Sequence, residues 1–103
     1  MKIAITCDED ETISANLNEA ELYRVYDVEN GNVKSSELVR TISAGHRVIA
    51  PFLADKDVEA LICGNADKQA QRIYARYGLV LYSGHKGSIA DCIKSFLSGT
   101  FEY

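Results

Sequence analysis

The sequence predicts an α/β fold built on a mixed five-stranded sheet with three helices, and three observations carry that expectation. An apolar opening segment, Lys2 to Cys7, is rich in strand-favouring residues. An Asn30-Gly31 dipeptide sits between two strand-like stretches, the strongest short hairpin signal because both central residues of a type I′ turn need positive φ. From His46 onward, short apolar runs then alternate with stretches of helical period, the signature of βαβ units.

The elements follow in order. Lys2 to Cys7 is the first strand, covered on both faces. Asp8 to Glu11 is a run of four carboxylates, read as a solvated loop, and Thr12 to Glu19 continues it as polar loop. Leu22 to Val28 and Val33 to Thr41 form the hairpin, the second of them polar enough for a sheet edge. Ser43 to His46 leads into a first helix over Arg47 to Lys56, with Val48, Ile49, Phe52 and Leu53 at helical spacing and Pro51 near its start. Val58 to Cys63 is the fourth strand. Asp67 to Tyr77 is a second helix with Ala70, Ile73, Tyr74 and Tyr77 inward, closed by Gly78. Leu79 to Tyr82 is the last strand. After a loop with two glycines, Ser88 caps a third helix whose apolar face is Ile89, Cys92, Ile93, Phe96 and Leu97, ended by Gly99 before a tail.

Right-handed crossovers then place strands one, four and five parallel, with the hairpin beside strand one, giving the order 3-2-1-4-5. That is the ribonuclease H-like arrangement, and the fold by itself assigns no activity. The length of 103 residues suits one hydrophobic core, so residues 1–103 are expected to form a single domain. Composition, 47% hydrophobic and 25% charged, is that of an ordinary globular protein.

Charge and cysteine usage exclude several functions. Acids outnumber bases 15 to 11 for a net charge of -4, and no basic stripe exists to neutralise phosphates, so nucleic acid is not an expected partner. No apolar run approaches the roughly 20 residues of a membrane span, and the amino terminus enters a strand pattern directly, which points to the cytoplasm. Three cysteines without Cys-x-x-Cys spacing fit reduced thiols rather than a disulfide framework or zinc finger. A two-metal nuclease needs carboxylates on adjoining strands, where strand one offers Ala4 and Ile5. No serine, histidine and acid arrangement emerges, so an enzyme is not expected. Nothing in the sequence sets an oligomeric state.

Candidate chemistry gathers at the carboxyl ends of the strands, where open α/β sheets bind ligands. Cys7 and Cys63 end two adjacent parallel strands, and Gly64 and Asn65 follow at the corner. Two thiolates near an imidazole would suit iron-sulfur or zinc ligation, against the reading of both as small buried hydrophobes. His46 and His85 lie on loops at the same level, free to ligate. Gly64 to Asp67 could also present amides to an anion at a helix start.

The residues resemble one family. Met1-Lys2-Ile3-Ala4-Ile5, Tyr26-Asp27-Val28-Glu29-Asn30-Gly31, Gly45-His46 followed by Ala50-Pro51-Phe52-Leu53, Val58 to Gly64 and the closing Ser88 to Gly99 segment are together similar to the dinitrogenase iron-molybdenum cofactor biosynthesis proteins, such as NifX and the carboxyl-terminal domain of NifB. The resemblance implies a ribonuclease H-like fold without nuclease activity. It further implies a small carrier or accessory protein, handling an iron-sulfur or iron-molybdenum type cluster or meeting a protein partner. On that basis the cofactor-binding candidates are His46, Cys63, Gly64, Asn65 and Asn16, and the metal-ligand candidates are His46, Cys63 and Cys7. Two stretches depart from the family pattern: Asn16-Leu17-Asn18-Glu19 stands where His-Phe-Gly-Arg is common, and Gly64-Asn65-Ala66-Asp67 where Gly-Gly-x-Gly is common. The same resemblance admits an interaction or regulatory module of this fold that no longer binds a cluster.

Overall fold

The computed structural model describes residues 1–41, 45–99 and 101. Strand β1 (Lys2–Cys7) is buried from Ile3 onward because it lies inside the sheet, antiparallel to β2 (Leu22–Glu29) on one side and parallel to β4 (Val58–Ile62) on the other. β3 (Asn32–Arg40) pairs antiparallel with β2, and β5 (Val80–Tyr82) pairs parallel with β4. The order is β3-β2-β1-β4-β5, as the sequence predicts. Asn30 and Gly31, at φ 54° and 78°, make the tight turn between β2 and β3.

The sheet separates two core clusters. On one face Ala4, Tyr23, Val25 and Leu61 pack against Ile49 and Leu53 of α1 (His46–Asp55) and Ile73 and Tyr74 of α2 (Lys68–Arg76). On the other, Ile3, Ile5, Tyr26 and Ile62 pack against Ile89 and Ile93 of α3 (Ile89–Ser98) and against Phe101. Fully burying one such aliphatic side chain stabilises the fold by ~1.5–3 kcal/mol, so the alternation of inward residues on β1 and β4 sets the architecture.

The structure corrects several local expectations. Thr12 to Glu19 is not a free polar loop: it contains a 3-10 turn (Leu17–Glu19) and backbone bridges from Ile13 to Cys7, Thr12 to Ser88 and Asn16 to Asn65. Ile13 enters the α3-side cluster and Leu17 the opposite one, so this segment crosses the carboxyl end of the sheet from one core to the other. The acidic run is exposed, as a solvated loop would be, but it is a turn whose carboxylates have partners. Glu9 pairs with Arg40 at 2.9 Å, Glu11 with Arg24 at 3.3 Å, Asp8 accepts from Ser14 Oγ and Asp10 from Thr12. Pro51 lies inside α1 rather than at its start, and only half of the apolar residues at helical spacing turn inward: Ile49 and Leu53 are buried, whereas Val48 and Phe52 are 59% and 38% exposed. Tyr77 is exposed because it caps α2 past its last full turn. Phe101, in the stretch read as a tail, is buried. The segment Ser43-Ala44 before α1 and residues 100, 102 and 103 lie outside the described residues.

Candidate functional site

Gly64 follows β4 where the rim of the sheet was expected to open, and the chain itself closes over it. A Cβ at Gly64 would lie within 3.0 Å of the backbone of Ser14 and Ala15, so only glycine admits this approach. Several backbone groups around it are hydrogen-bonded. Asn65 N–H donates to Ala15 C=O at 2.7 Å, Leu17 N–H donates to Asn65 C=O at 2.9 Å, and on the other side Gly84 and His85 donate to the carbonyls of Gly64 and Cys63. Asp67 caps α2 by accepting from Ala70 N–H at 2.8 Å, which places a carboxylate at the helix start. The Asn65 amide therefore has its partner, and the Asp67 carboxylate occupies the helix N-terminus where an anion would sit.

The cysteines go to different places. Cys63 is 0% exposed on the α1/α2 side, whereas Cys7 is buried in the cluster on the α3 side, so the sheet does not bring their sulfurs together. Loss of solvent pushes the Cys63 thiol up to about 12 and raises that of Cys7, both in the direction of the neutral form. Cys92 is partly exposed on α3, its thiol pushed up to about 11 by the same cause. Among the described residues, no group of three or more His, Cys, Asp or Glu side chains is placed to hold a metal ion.

His46 is the candidate the structure leaves at the rim. It is the first residue of α1 and half-buried, with Gly45 as the N-cap. Its Nδ1 lies 3.3 Å from the hydroxyl of Tyr74 on α2, and its ring meets the Tyr74 ring edge-on at 5.5 Å. Its Nε2 meets the side-chain oxygen of Asn18 in a short hydrogen bond. Behind Tyr74 stands Tyr23 of β2, also fully buried; burial pushes Tyr23 up to about 12 and raises Tyr74 as well. Thr6, opposite Tyr23 in the β1–β2 register, buries a hydroxyl with no hydrogen-bond partner among the described residues. The chain Asn18, His46, Tyr74, Tyr23 is thus a polar path from the surface toward the core beside Cys63. Tyr23, Tyr74 and Asn18 were not singled out from the sequence: Tyr74 reads there only as an inward helix residue, and no local pattern pairs it with a histidine 28 positions earlier.

Asn16, by contrast, is exposed and joins the rim through its backbone bridge to Asn65. His85 stacks on Phe101 at 4.5 Å beside a cleft of about 350 Å³ lined by Lys86, Ser88 and Asp91, on the other side of the sheet from His46.

Known proteins share this fold. An uncharacterised protein of Methanocaldococcus jannaschii is 30% identical over 107 residues, covering 99% of this chain and 90% of that one. The crystal structure of the protein PH0822 matches with a TM-score of 0.91 at 23% identity, over 99% of this chain and 93% of that one. A Thermotoga protein provisionally assigned as NifB matches at 0.73 and 29% identity, over 96% and 89% of the two chains. The apo form of the orange protein from Desulfovibrio gigas matches at 0.78 and 20% identity, over 98% and 90%. Residues 1–99 match the family described as dinitrogenase iron-molybdenum cofactor, and the chain belongs to that family as a divergent, NifX-like member.

Proposed function

We propose that this protein is a small, non-enzymatic, cytoplasmic accessory protein that takes an iron-sulfur or iron-molybdenum type cluster as cargo, with His46 as its point of attachment. The observation that supports this reading is the half-buried imidazole at the carboxyl end of the sheet, with hydrogen bonds at both ring nitrogens. The donor set does not fit a resident cluster, which needs several converging thiolates or imidazoles. Cys63 is sealed, Cys7 lies on the other face, and no third ligand converges among the described residues. A single attachment point suits cargo that must be passed on, because a ligand held by few bonds leaves readily and its open face is available to the next protein. No described helix is long and apolar enough to cross a membrane.

Anaerobic reconstitution with iron and sulfide, followed by absorbance and metal analysis, tests the proposal. Wild type is expected to take up metal and His46→Ala to lose most of it. A colourless, metal-free wild type contradicts the reading. In that case the second reading gains, an interaction module that no longer binds a cluster, which is supported by the Ser14 to Leu17 backbone lying over Gly64.

A further inference from the structure

The His46 ring is engaged at both nitrogens by side chains from other elements. Nε2 faces Asn18 Oδ1, and Nδ1 faces the Tyr74 hydroxyl. A carboxamide oxygen only accepts, so Nε2 carries a proton; in the neutral ring Nδ1 is then an acceptor, and Tyr74 O–H donates to it. Neither nitrogen offers a lone pair, and coordination requires one. Ligating histidines bind metal through one nitrogen and donate N–H from the other to a fixed acceptor. In His46 the proton sits on the outer nitrogen, the reverse of that arrangement.

The two partners differ in freedom. Asn18 is exposed, yet the turn carrying it is anchored by buried Leu17 and by Leu17 N–H donating to Asn65 C=O, so the carboxamide can rotate away while the turn stays in place. Tyr74 is fully buried and fixed, but a hydroxyl both donates and accepts. Its proton can turn away from Nδ1 toward Tyr23, buried in the same core cluster, leaving the Tyr74 oxygen to accept from Nδ1–H.

We propose that Asn18 and Tyr74 are positioning residues that set the tautomer of His46, Asn18 latching it in the Nε2–H form that does not ligate. Release of Asn18 lets the proton move through solvent from Nε2 to Nδ1, where Tyr74 accepts it, and the Nε2 lone pair opens to a borderline divalent cation. The proton count of the ring does not change. This inference rests on the reading of His46 as the cargo ligand, and it deepens that reading by making attachment conditional on displacing one side chain.

Long-range 1H–15N correlation spectra of the metal-free protein read the tautomer directly, a property that a merely structural role for Asn18 would not set. Wild type is expected to show the Nε2–H pattern and Asn18→Ala a shift toward Nδ1–H. In cobalt(II) titrations followed by absorbance, Asn18→Ala is expected to bind about three- to tenfold more tightly than wild type, the worth of one exposed hydrogen bond. Adding His46→Ala or Tyr74→Phe to that variant should abolish the gain. A wild-type spectrum with the proton on Nδ1 overturns the proposal, as does an Asn18→Ala variant with unchanged tautomer and affinity. The two readings separate: cobalt affinity unmoved by His46→Ala removes the ligand assignment, whereas the nitrogen shifts of the metal-free protein judge Asn18 and Tyr74 by themselves.

Discussion

Gly64 and Cys63 occupy neighbouring positions at the end of β4 and are constrained for unrelated reasons. At Gly64 the constraint is backbone against backbone, and neither side can yield by rotating a side chain. Gly64→Ala is therefore expected to destabilise by ~1–3 kcal/mol through overpacking. Hydrogen exchange should show lost protection at the Leu17 and Asn65 amides, and unchanged protection there would contradict the account. At Cys63 the constraint is desolvation, which carries the thiol from an ordinary 9.0 to about 12. The folded state then holds a proton that the unfolded chain releases, so this contribution to stability is intact below about pH 9 and is lost as pH rises toward about 12. Urea unfolding across that range should show stability falling by up to ~1.4 kcal/mol per pH unit for this group. Cys63→Ala should flatten the slope without removing it, because Tyr23 and Cys92 are raised by burial as well. That Cys63 and Gly64 sit at a strand exit is legible in the sequence. What faces them is not, because the partner of Gly64 is a backbone some 50 residues earlier and carries no side-chain signature.

At the scale of elements, the parts specified locally are the parts the sequence predicts. The Asn30-Gly31 turn depends on two residues that tolerate positive φ, and the α2 and α3 caps depend on Asp67 and Ser88 reaching amides three residues on. Asp67→Ala should cost ~1 kcal/mol in thermal or denaturant unfolding, the usual worth of such a cap. The segment from Thr12 to Glu19 was harder to read, since its order comes from tertiary contacts at both ends. Its one signal is the placement of Ile13 and Leu17 in otherwise polar sequence, each of which fills a different core cluster. For α1, periodicity identifies the helix but not its rotation: Val48 and Ile49 are equally apolar, and only the position of the sheet decides that Ile49 goes inward. Phe52, left outside, takes a cation from the residue that caps its helix, with Lys56 Nζ at 5.6 Å from its ring centre.

Across the whole molecule, the sheet order and the two-sided core were legible because hydrophobic alternation and crossover handedness restrict the topology strongly. The candidate site was legible only in part. His46, Cys63, Gly64 and Asn65 do cluster by position at one end of the sheet, but the fold turns the cysteine inward, closes the glycine with its own chain and leaves the imidazole facing out. Family membership and this geometry together support cargo handling through one labile point rather than a built-in cluster. The most direct measurement is metal per chain after anaerobic cluster loading of wild type, His46→Ala and Cys63→Ala, each first verified as folded. Loading that is lost in His46→Ala and retained in Cys63→Ala is the expected result; equal loading of His46→Ala and wild type would contradict the account.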